Sequence, residues 1–389
     1  MRLVWSLEDL PRHTKKIIFL AGPTPRSKKV KSWRPEALKI LKKLGYDGHV
    51  FVPESKNGRH SMTGKEYKKQ CDWETAALNI VDVIIFWVPR DLKTMPALTT
   101  NIEWGIWANS GKSIFGAPSN APKNEYLKLM ADNLFVPRFN TLEKTIKKAV
   151  EIIGDGAERF DGECEVPLHI WKTKTFQDWY QNLINADNSL KGAKILWSRQ
   201  TNSDRSTVLS WILKPDIWIG KEKRLKTKEP VFSRFDISAA MLWRKNKDDI
   251  LKSEIVLVKE FRSPGRTRDG FIHELPGGSS LKDIGKRELA STETLEETGF
   301  GVEPQRWKEH GSRQLAGTLS THHAHLFSLQ ITKEEITWFK KKAERGLPEG
   351  NAEESERTYI EVKTIKQIIE EKLVDFSTLG MIFEVININ

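Results

Sequence analysis

The stretch "KKIIFLAGPTPR", residues 15–26, is the clearest indication of the fold in the first part of the chain. It is a short run of β-favouring apolar residues that ends in a Gly-Pro turn, and the helical pattern of "SWRPEALKILKKLGY" follows it. Further apolar runs, "HVFVPE", "VDVIIFWVPR" and "KSIFGAP", alternate with helical segments. Alternation of strand and helix predicts an α/β fold with a parallel sheet.

Length and composition indicate an ordinary globular chain of two domains. The 389 residues exceed what one core usually organises, and 38% are hydrophobic. A formal net charge of +11 predicts attraction to anions such as phosphorylated metabolites, nucleic acid or a membrane surface, although surface lysine that serves solubility is an equal explanation. The two cysteines, Cys71 and Cys164, have no metal-ligand spacing, which argues against a zinc site or a disulfide scaffold and fits a reducing cytoplasm.

The texture of the sequence changes at about residue 165, where β-rich runs such as "KILWSRQ" and "VLSWILKPDIWIG" begin. We therefore predict a first domain over residues 1–157 and a second over residues 158–389. The opening segment carries Asp, Glu and Pro before a short apolar run, which is typical of neither a signal peptide nor a membrane span. We expect a cytoplasmic protein with no membrane partner.

A crowded acidic helix is predicted in "HELPGGSSLKDIGKRELASTETLEETGF", residues 273–300. Three glutamates of this helix fall on one face: Glu293, Glu296 and Glu297. A divalent cation would relieve their repulsion, and ligation by oxygen alone suits Mg²⁺ or Mn²⁺. A solvated acidic face explains "ETLEETG" equally well when it is taken alone, but the glycine loop before it favours a metal site.

The spacing of this segment resembles the Nudix box, which is glycine, five residues, Glu, seven residues, then Arg-Glu-apolar-any-Glu-Glu-any-Gly-apolar. The positions in register are Gly278, Glu293, Glu296, Glu297, Gly299 and Phe300. Ile284, Thr292 and Thr294 stand where the box has Glu, Arg and an apolar residue. The flanking "SRFDISAAMLW", "IVLVKEFRSP", "HELPGG" and "LVDFSTLGMIFEV" are similar to the ADP-sugar class of Nudix hydrolases, so the resemblance spans about residues 205–389.

This resemblance implies an α/β/α domain with a mixed sheet that hydrolyses a nucleoside diphosphate derivative. It implies metal ligands at the three helix glutamates, catalysis by Glu296 and Glu297, and substrate contacts at Glu274 and Gly278. In that class a glutamate of a late loop often assists attack by water, and the candidates here are Glu349, Glu353, Glu354 and Glu356. Arg262 offers phosphate a bidentate fork, with ordinary surface charge as an equal alternative.

The first half has candidate site residues at the predicted strand ends. Gly22 and Arg26 follow the first strand of the alternating pattern, where α/β sheets bind ligands, and Ser32 and Arg34 supply further donors for a phosphate or sugar. The carboxylates that follow are Asp72, Glu74, Asp82 and Glu103. For Glu103 the plainer explanation is stabilisation of a helix start, and for Asp82 it is a place in a turn beside a buried strand.

The phrases "LAGPTPR", "SWRPEAL", "VFVPE", "FWVPR" and "LTTNIEWG" together resemble the nucleoside 2-deoxyribosyltransferase family over about residues 15–150. The resemblance implies that Glu103 is the nucleophile that attacks the anomeric carbon and that Asp72 or Glu74 handles the base. "ALTT" stands where the family has Asp-x-Gly-Thr. A carboxylate can trap an oxocarbenium-like centre covalently while a second acid protonates the leaving base.

We therefore predict a flavodoxin-like domain joined to a Nudix domain in one bifunctional enzyme. We also expect this enzyme to form a homo-oligomer. The second domain would release a nucleoside monophosphate, and the first would cleave its N-glycosidic bond or transfer its deoxyribosyl group, with Arg26 or Arg34 on the phosphate. One alternative is that one domain has lost catalysis and senses a nucleotide. A non-specific nucleic-acid-binding protein is the other, although the dispersed basic residues argue against it.

Overall fold

The computed structural model divides the chain into two compact units, Met1–Ser233 and Arg234–Asn389. The residues that it describes are 1–26, 29–56, 64–201, 207–350 and 356–388. The first unit extends beyond the segment 1–157 that we predicted as a domain. Its apolar core continues into Trp171, Phe176 and Trp211, which cluster with side chains of the sheet.

The strands and helices follow one another along both units. In chain order the strands are β1 (Arg2–Trp5), β2 (His13–Thr14), β3 (Ile17–Ala21), β4 (His49–Val52), β5 (Val83–Trp87), β6 (Ser113–Gly116), β7 (Arg138–Phe139), β8 (Arg159–Phe160), β9 (Asn188–Gln200), β10 (Val208–Ile219), β11 (Arg224–Lys226), β12 (Val231–Arg234), β13 (Ile237–Arg244), β14 (Glu254–Glu260), β15 (Ile272–Glu274), β16 (Gly277–Gly278), β17 (Lys308–Gln314), β18 (His323–Gln330) and β19 (Thr358–Thr364). The helices are α1 (Arg34–Lys43), α2 (Gly64–Ile80), α3 (Leu98–Trp107), α4 (Glu125–Asn133), α5 (Leu142–Ile153), α6 (Leu168–Trp171), α7 (Lys174–Asn185), α8 (Lys286–Thr298), α9 (Lys333–Arg345), α10 (Ile365–Glu370) and α11 (Phe376–Ile388).

A parallel sheet with the order β1-β4-β3-β5-β6-β7 organises the first unit. The runs "IIFLA" and "VIIFW" of β3 and β5 are apolar throughout, because central parallel strands are buried on both faces. Ile18 and Ile17 belong to separate core clusters, as expected for neighbours on a strand. The predicted α/β fold with a parallel sheet is confirmed.

Helices cover both faces of this sheet. Ala37 of α1 and Ile146 of α5 pack in one core cluster, whereas Ala77 of α2, Trp104 of α3 and Leu127 of α4 pack in the other. The chain order reverses between β3 and β5, where β3 leads to β4 on one side and the later strands lie on the other. Such a reversal opens a crevice at the carboxyl ends of the strands.

The rest of the first unit is a long antiparallel hairpin preceded by short helices. β9 pairs with β10 along most of its length, and β10 also pairs with β11 and β12. The rings of Trp171, Phe176 and Trp211 lie within 6 Å of one another in successive pairs, at 5.3 and 5.8 Å between centroids. Aromatic packing therefore explains several of the fourteen tryptophans as core residues.

The second unit is built on a mixed sheet with the order β15-β14-β13-β18-β17, to which β16 and β19 also pair. β13 runs parallel to β18, and the β13–β14 and β17–β18 pairs are antiparallel. The mixed sheet predicted for this part of the chain is confirmed. Among the described residues, no helix has both the length and the apolar character needed to cross a membrane.

Candidate functional site

Glu103 lies on α3, which follows the loop that leaves the carboxyl end of β5. Asp91 and Met95 bridge this loop through paired backbone hydrogen bonds of 3.2 and 2.9 Å, and the Asp91 carboxylate accepts a bond of 2.7 Å from the Thr94 N–H group. Ala97 at the helix N-cap has a left-handed φ of 59°. The helix begins at Leu98, earlier than the sequence indicated, so Glu103 stands in the second turn and does not stabilise the helix start.

The carboxyl groups of Glu103 and Glu74 form an electrostatically coupled pair. Burial raises the pKa of Glu103 to about 8, the charge of Glu74 adds to this effect, and the Arg34 guanidinium opposes it. Glu74 projects from α2, accepts a hydrogen bond of 2.9 Å from Gln70 Nε2, and has a pKa that burial raises. Burial raises the pKa of both carboxyl groups, so Glu103 keeps its proton near neutral pH and Glu74 resists ionisation more than an ordinary glutamate does.

Arg34 is a fully buried clamp on the turn that follows β3. Its guanidinium donates to the backbone oxygens of Leu20 at 3.1 Å and Gly22 at 2.7 Å, and to Glu54 Oε1 at 2.6 Å. Burial lowers its pKa, and the Glu54 carboxylate opposes that effect. The predicted phosphate contact of Arg34 is thus replaced by a structural role, because its donors already have partners within the fold.

Ser32 belongs to the same network. Its hydroxyl donates to Glu54 Oε1 at 2.9 Å and accepts from the Arg34 N–H group at 3.2 Å. This hydroxyl is therefore directed at Glu54, and the substrate contact that we predicted for it has no support in its hydrogen bonds. Glu54, which receives both side chains, was not singled out from the sequence. Its position after "HVFVP", at the end of β4, was the available signal.

Gly22 and Arg26 lie where the sheet order reverses. A Cβ atom at Gly22, whose φ is 145°, would lie 2.2 Å from the backbone oxygen of Trp87 on β5, so only glycine fits there. Arg26 donates its backbone N–H to Thr94 O at 2.9 Å, which joins the two loops. Its exposed guanidinium forms no hydrogen bond or ion pair with any residue that the structure describes, so it can bind an anion.

Asp72 and Asp82 are placed away from this pair. Asp72 is exposed and forms an ion pair of 2.5 Å with Lys68 one turn earlier on α2. Asp82 is buried, where its oxygens accept bonds of 2.8 and 2.7 Å from Arg159 and bonds from the N–H groups of Ile17 and Leu168. The predicted substrate contact of Asp82 is therefore replaced by a structural cross-link to a partner 77 residues later.

Arg90 is a buried cation that sequence reasoning did not single out. It follows β5 and donates to the side-chain oxygens of Asn124 at 3.0 Å and Asn101 at 2.6 Å. Asn124 in turn donates to Val88 O at 3.1 Å, so the three side chains fix the loop after β5 to α3 and α4. The phrase "FWVPR" contained the residue, but nothing in it indicated partners so far along the chain.

In the second unit, α8 carries the predicted acidic face and ends at a left-handed Gly299, as the sequence indicated. Glu297 is buried and accepts a bond of 2.8 Å from the Gly277 N–H group. Burial first, and then the charges of Glu274, Glu293 and Glu356, raise its pKa well above the usual range of a glutamate. Glu296 is exposed, so the helix glutamates have unequal surroundings.

The two predicted loop contacts of this unit are near the same carboxylates. The Glu293 carboxylate lies against Gly278, where an added Cβ atom would be 2.4 Å from Glu293 Oε2. Burial raises the pKa of Glu274, and the charge of Arg262 opposes that effect. A side chain at position 278 would therefore displace one of the predicted metal ligands.

Arg262 is a half-exposed arginine among three carboxylates. Its Nη2 atom lies 2.7 Å from Glu260 Oε2 and 3.7 Å from Glu356 Oε1, and its Nε atom lies 3.8 Å from Glu274 Oε1. Of the other late-loop candidates, Glu349 pairs with Lys342 at 2.8 Å. Glu353 and Glu354 lie outside the described residues. Within the described ranges, no three His, Cys, Asp or Glu side chains are grouped closely enough to hold a metal ion.

Comparison with known proteins bears on the first of these sites. A family model described as nucleoside 2-deoxyribosyltransferase like matches residues 15–121. Residues 15–121 are thus similar to this family, and we call them the deoxyribosyltransferase-like domain. This deoxyribosyltransferase-like domain contains Glu103, Glu74 and Arg34, and the family points to the processing of nucleosides. No curated protein matches the chain. The matched residues all lie in the first unit, so the Nudix relationship of the second stays a prediction.

Proposed function

We propose that the deoxyribosyltransferase-like domain breaks the N-glycosidic bond of a nucleoside or nucleoside monophosphate, with Glu103 as the nucleophile. The observation that carries this proposal is that Glu103 on α3 and Glu74 on α2 are half-buried carboxyl groups with raised pKa values, and that the charge of Glu74 adds to the shift of Glu103. Retaining glycosidic chemistry needs one ionised and one protonated carboxyl group. Two neighbouring carboxyl groups supply this combination, because ionisation of one favours the protonated form of the other.

The reaction proceeds by two displacements at the anomeric carbon. The Glu103 carboxylate forms a bond to that carbon while the bond to the base breaks, and Glu74 gives its proton to the leaving nitrogen. Water or a second base then displaces Glu103, which gives hydrolysis or transfer. In the free protein the proton resides largely on Glu103, since its pKa is about 8. The positive charge that develops at the anomeric carbon favours the ionised form of Glu103, and Glu74, whose pKa burial raises, is the group that carries the proton in that state.

Glu74 rather than Asp72 is the acid in this scheme. The two residues are two positions apart on α2, and residues at that spacing do not face the same side of a helix. Glu74 is near enough to Glu103 to raise its pKa, whereas Asp72 is exposed and paired with Lys68. Both were candidates from the sequence, and the structure supports only Glu74.

The test is the release of free base from a panel of nucleosides and their 5′-monophosphates, followed by mass spectrometry. Glu103→Gln should lower the rate by about 10³-fold or more, because the covalent route is lost. Glu143→Gln, an exposed residue of α5, is the matched control and should keep the parent rate. A slow 2-fluorinated nucleoside should add one glycosyl group to Glu103 of the parent protein. Base release by Glu103→Gln at the parent rate would show that another residue is the nucleophile.

A second activity, hydrolysis of a nucleoside diphosphate derivative, is proposed for the second unit. The crowding of Glu274, Glu293 and Glu356 around the buried Glu297 favours it, because a divalent cation would relieve their mutual repulsion. The donors are all carboxylate oxygens, which suit Mg²⁺ or Mn²⁺. To hold the ion, Glu293, Glu296 and Glu297 would have to come closer together than they lie in the structure, and the ion would then supply charge neutralisation to a diphosphate. Arg262 would contact the phosphates after leaving one of its carboxylate partners.

Diphosphate cleavage in this unit should depend on added Mg²⁺ and on the helix glutamates. Glu297→Gln should reduce it by at least about a hundredfold, because the change removes an anionic ligand and keeps the shape of the side chain. Glu344→Gln on α9 is a control that removes a charge elsewhere in the unit. Cleavage that persists in Glu297→Gln in the presence of EDTA would refute the proposal. Circular dichroism of each variant separates loss of activity from loss of fold.

A further inference from the structure

A cavity of about 390 Å³ lies beside β6 and β7, at the carboxyl-end edge of the parallel sheet. Its apolar side is formed by Phe115, Ala117 and Phe139, of which Phe115 and Ala117 are buried and Phe139 is partly buried. Ser119 and Asn140 add a hydroxyl and an amide from the loops that follow these two strands. A flat ring could rest against the partly buried ring of Phe139 while its polar substituents meet Ser119 and Asn140.

Three basic side chains line the same cavity: Lys128, Arg138 and Lys144. They come from three separate parts of the chain, namely α4, β7 and the first turn of α5. None of the described residues that line the cavity is acidic. Convergence of three cations on one concave surface predicts an anionic ligand.

Two of these cations are held in place by carboxylates outside the cavity. Glu125 lies 2.8 Å from Lys128, and Asp132 accepts a bond of 3.0 Å from Arg138 Nη2. Both carboxylates are exposed to solvent, with side-chain exposures of 80% and 50%. Asp132 occupies both Nε and Nη2 of Arg138, so this arginine offers a ligand chiefly its Nη1 group, whereas the single contact between Glu125 and Lys128 is a weak exposed pair. Lys144 forms no ion pair with any described residue, and the cavity keeps a positive excess.

The cavity is separate from the carboxyl pair described above. Glu103, Glu74 and Arg34 do not line it, and β6 and β7 lie beyond β5 in the sheet, on the side away from β3. The cavity and the carboxyl pair are thus lined by different residues.

We propose that this cavity is a second binding site of the first unit and that it takes a mononucleotide. Lys128, Arg138 and Lys144 bind its phosphate, and the partly buried ring of Phe139 contacts its base. Charge-assisted hydrogen bonds from lysine and arginine to phosphate are the strong contacts of such a site. The proposal stands without the glycosidic activity, because it uses none of the same residues.

The test is AMP binding by calorimetry in the Glu103→Gln background, so that nucleotide is not consumed. The double variant Lys128→Ala/Lys144→Ala should weaken AMP binding at this site by roughly tenfold or more. Lys147→Ala/Lys148→Ala, on α5 but outside the cavity, removes the same charge and should change affinity less than twofold. Hydrogen exchange in residues 115–119 and 138–144 should slow when AMP is added to the same Glu103→Gln protein.

Adenosine and inorganic phosphate separate the two parts of the ligand. Adenosine should bind much more weakly than AMP, which would support the phosphate contact, and phosphate alone should compete only at higher concentration. Equal affinity for adenosine and AMP would overturn the phosphate contact, and equal affinity for phosphate and AMP would overturn the nucleotide assignment. Equal weakening in the two double variants would show attraction to net charge and no site. An unchanged affinity and stoichiometry in Lys128→Ala/Lys144→Ala would also overturn the proposal.

Discussion

Glu103 in the first unit and Glu297 in the second both stand on helices and both have raised pKa values, but their surroundings differ. Among the described residues, Glu74 is the carboxyl neighbour that raises the pKa of Glu103, and Arg34, which lowers it, is occupied by backbone oxygens and Glu54. Glu297 has several carboxyl neighbours and accepts a backbone hydrogen bond. The site of Glu103 thus contains a pair of carboxyl groups, whereas the site of Glu297 contains several carboxyl groups close together.

This difference indicates what each site lacks. A buried pair of carboxyl groups is stabilised when it retains a proton. The pair can then supply one protonated and one ionised group, which suits acid and nucleophile chemistry. Several carboxylates close together are stabilised by a cation of higher charge. Arg262 provides only a partial counter-charge, because its nitrogen atoms lie 2.7 to 3.8 Å from the oxygen atoms of three carboxylates. Raised pKa values alone therefore do not distinguish the two chemistries. The number of carboxyl neighbours and the position of the nearest arginine do.

Removal of the negative charge of Glu74 tests most directly whether it acts as the acid beside Glu103. Glu74→Gln should lower base release by about 10²- to 10⁴-fold, which is the usual contribution of a general acid. Asp72→Asn, two residues away on the same helix, should leave the rate unchanged because Asp72 is exposed and paired with Lys68. The loss in Glu74→Gln should be smaller for a nucleoside whose base leaves readily without protonation. A rate in Asp72→Asn as low as that in Glu74→Gln would contradict the assignment.

The sequence predicted the fold and the acidic residues better than it predicted their partners. Runs such as "IIFLA" indicate buried strands, and the spacing of Glu293 and Glu297 places them on one helical face, since both signals are local in the chain. The bond between Asp82 and Arg159 joins residues 77 positions apart, and no local pattern carries such a pairing. For the same reason Arg34 was assigned to a phosphate although its donors are directed at Gly22 and Glu54.

The arginines of the first site provide the next test. Arg26 is exposed at the strand ends, and Arg34 is buried and committed to the turn. Arg26→Ala should reduce kcat/KM for a nucleoside 5′-monophosphate by about ten- to a hundredfold, because one charge-assisted contact is worth roughly 1.5–3 kcal/mol. The kcat/KM for the unphosphorylated nucleoside should be unchanged.

Arg34 gives the matching contrast. Arg34→Lys should destabilise the protein and affect both substrates alike, because the change removes bonds to Leu20 O and Gly22 O that hold the turn. Equal use of nucleoside and monophosphate by the parent enzyme would refute the scheme in which the second unit supplies the substrate of the first. A selective loss of monophosphate use in Arg34→Lys, with stability retained, would return the phosphate contact to Arg34.

The raised pKa of Glu103 also predicts how the stability of the protein depends on pH, and we expect this effect to be smaller than the effects on rate. The pKa of Glu103 is about 8 in the folded protein and 4.5 in its ordinary state, so the folded chain binds more protons between these values. The free energy of unfolding therefore falls as pH rises from about 4.5 to 8. Glu103→Gln lacks this ionisation and should gain about 1–3 kcal/mol over the parent at pH 8.5, with little difference at pH 5. Calorimetric unfolding curves at the two pH values measure the difference, with Asp72→Asn as an exposed control. Parallel behaviour of the parent and Glu103→Gln across this range would mean that Glu103 ionises at little cost, and the mechanism would lose the raised pKa of Glu103 on which it depends.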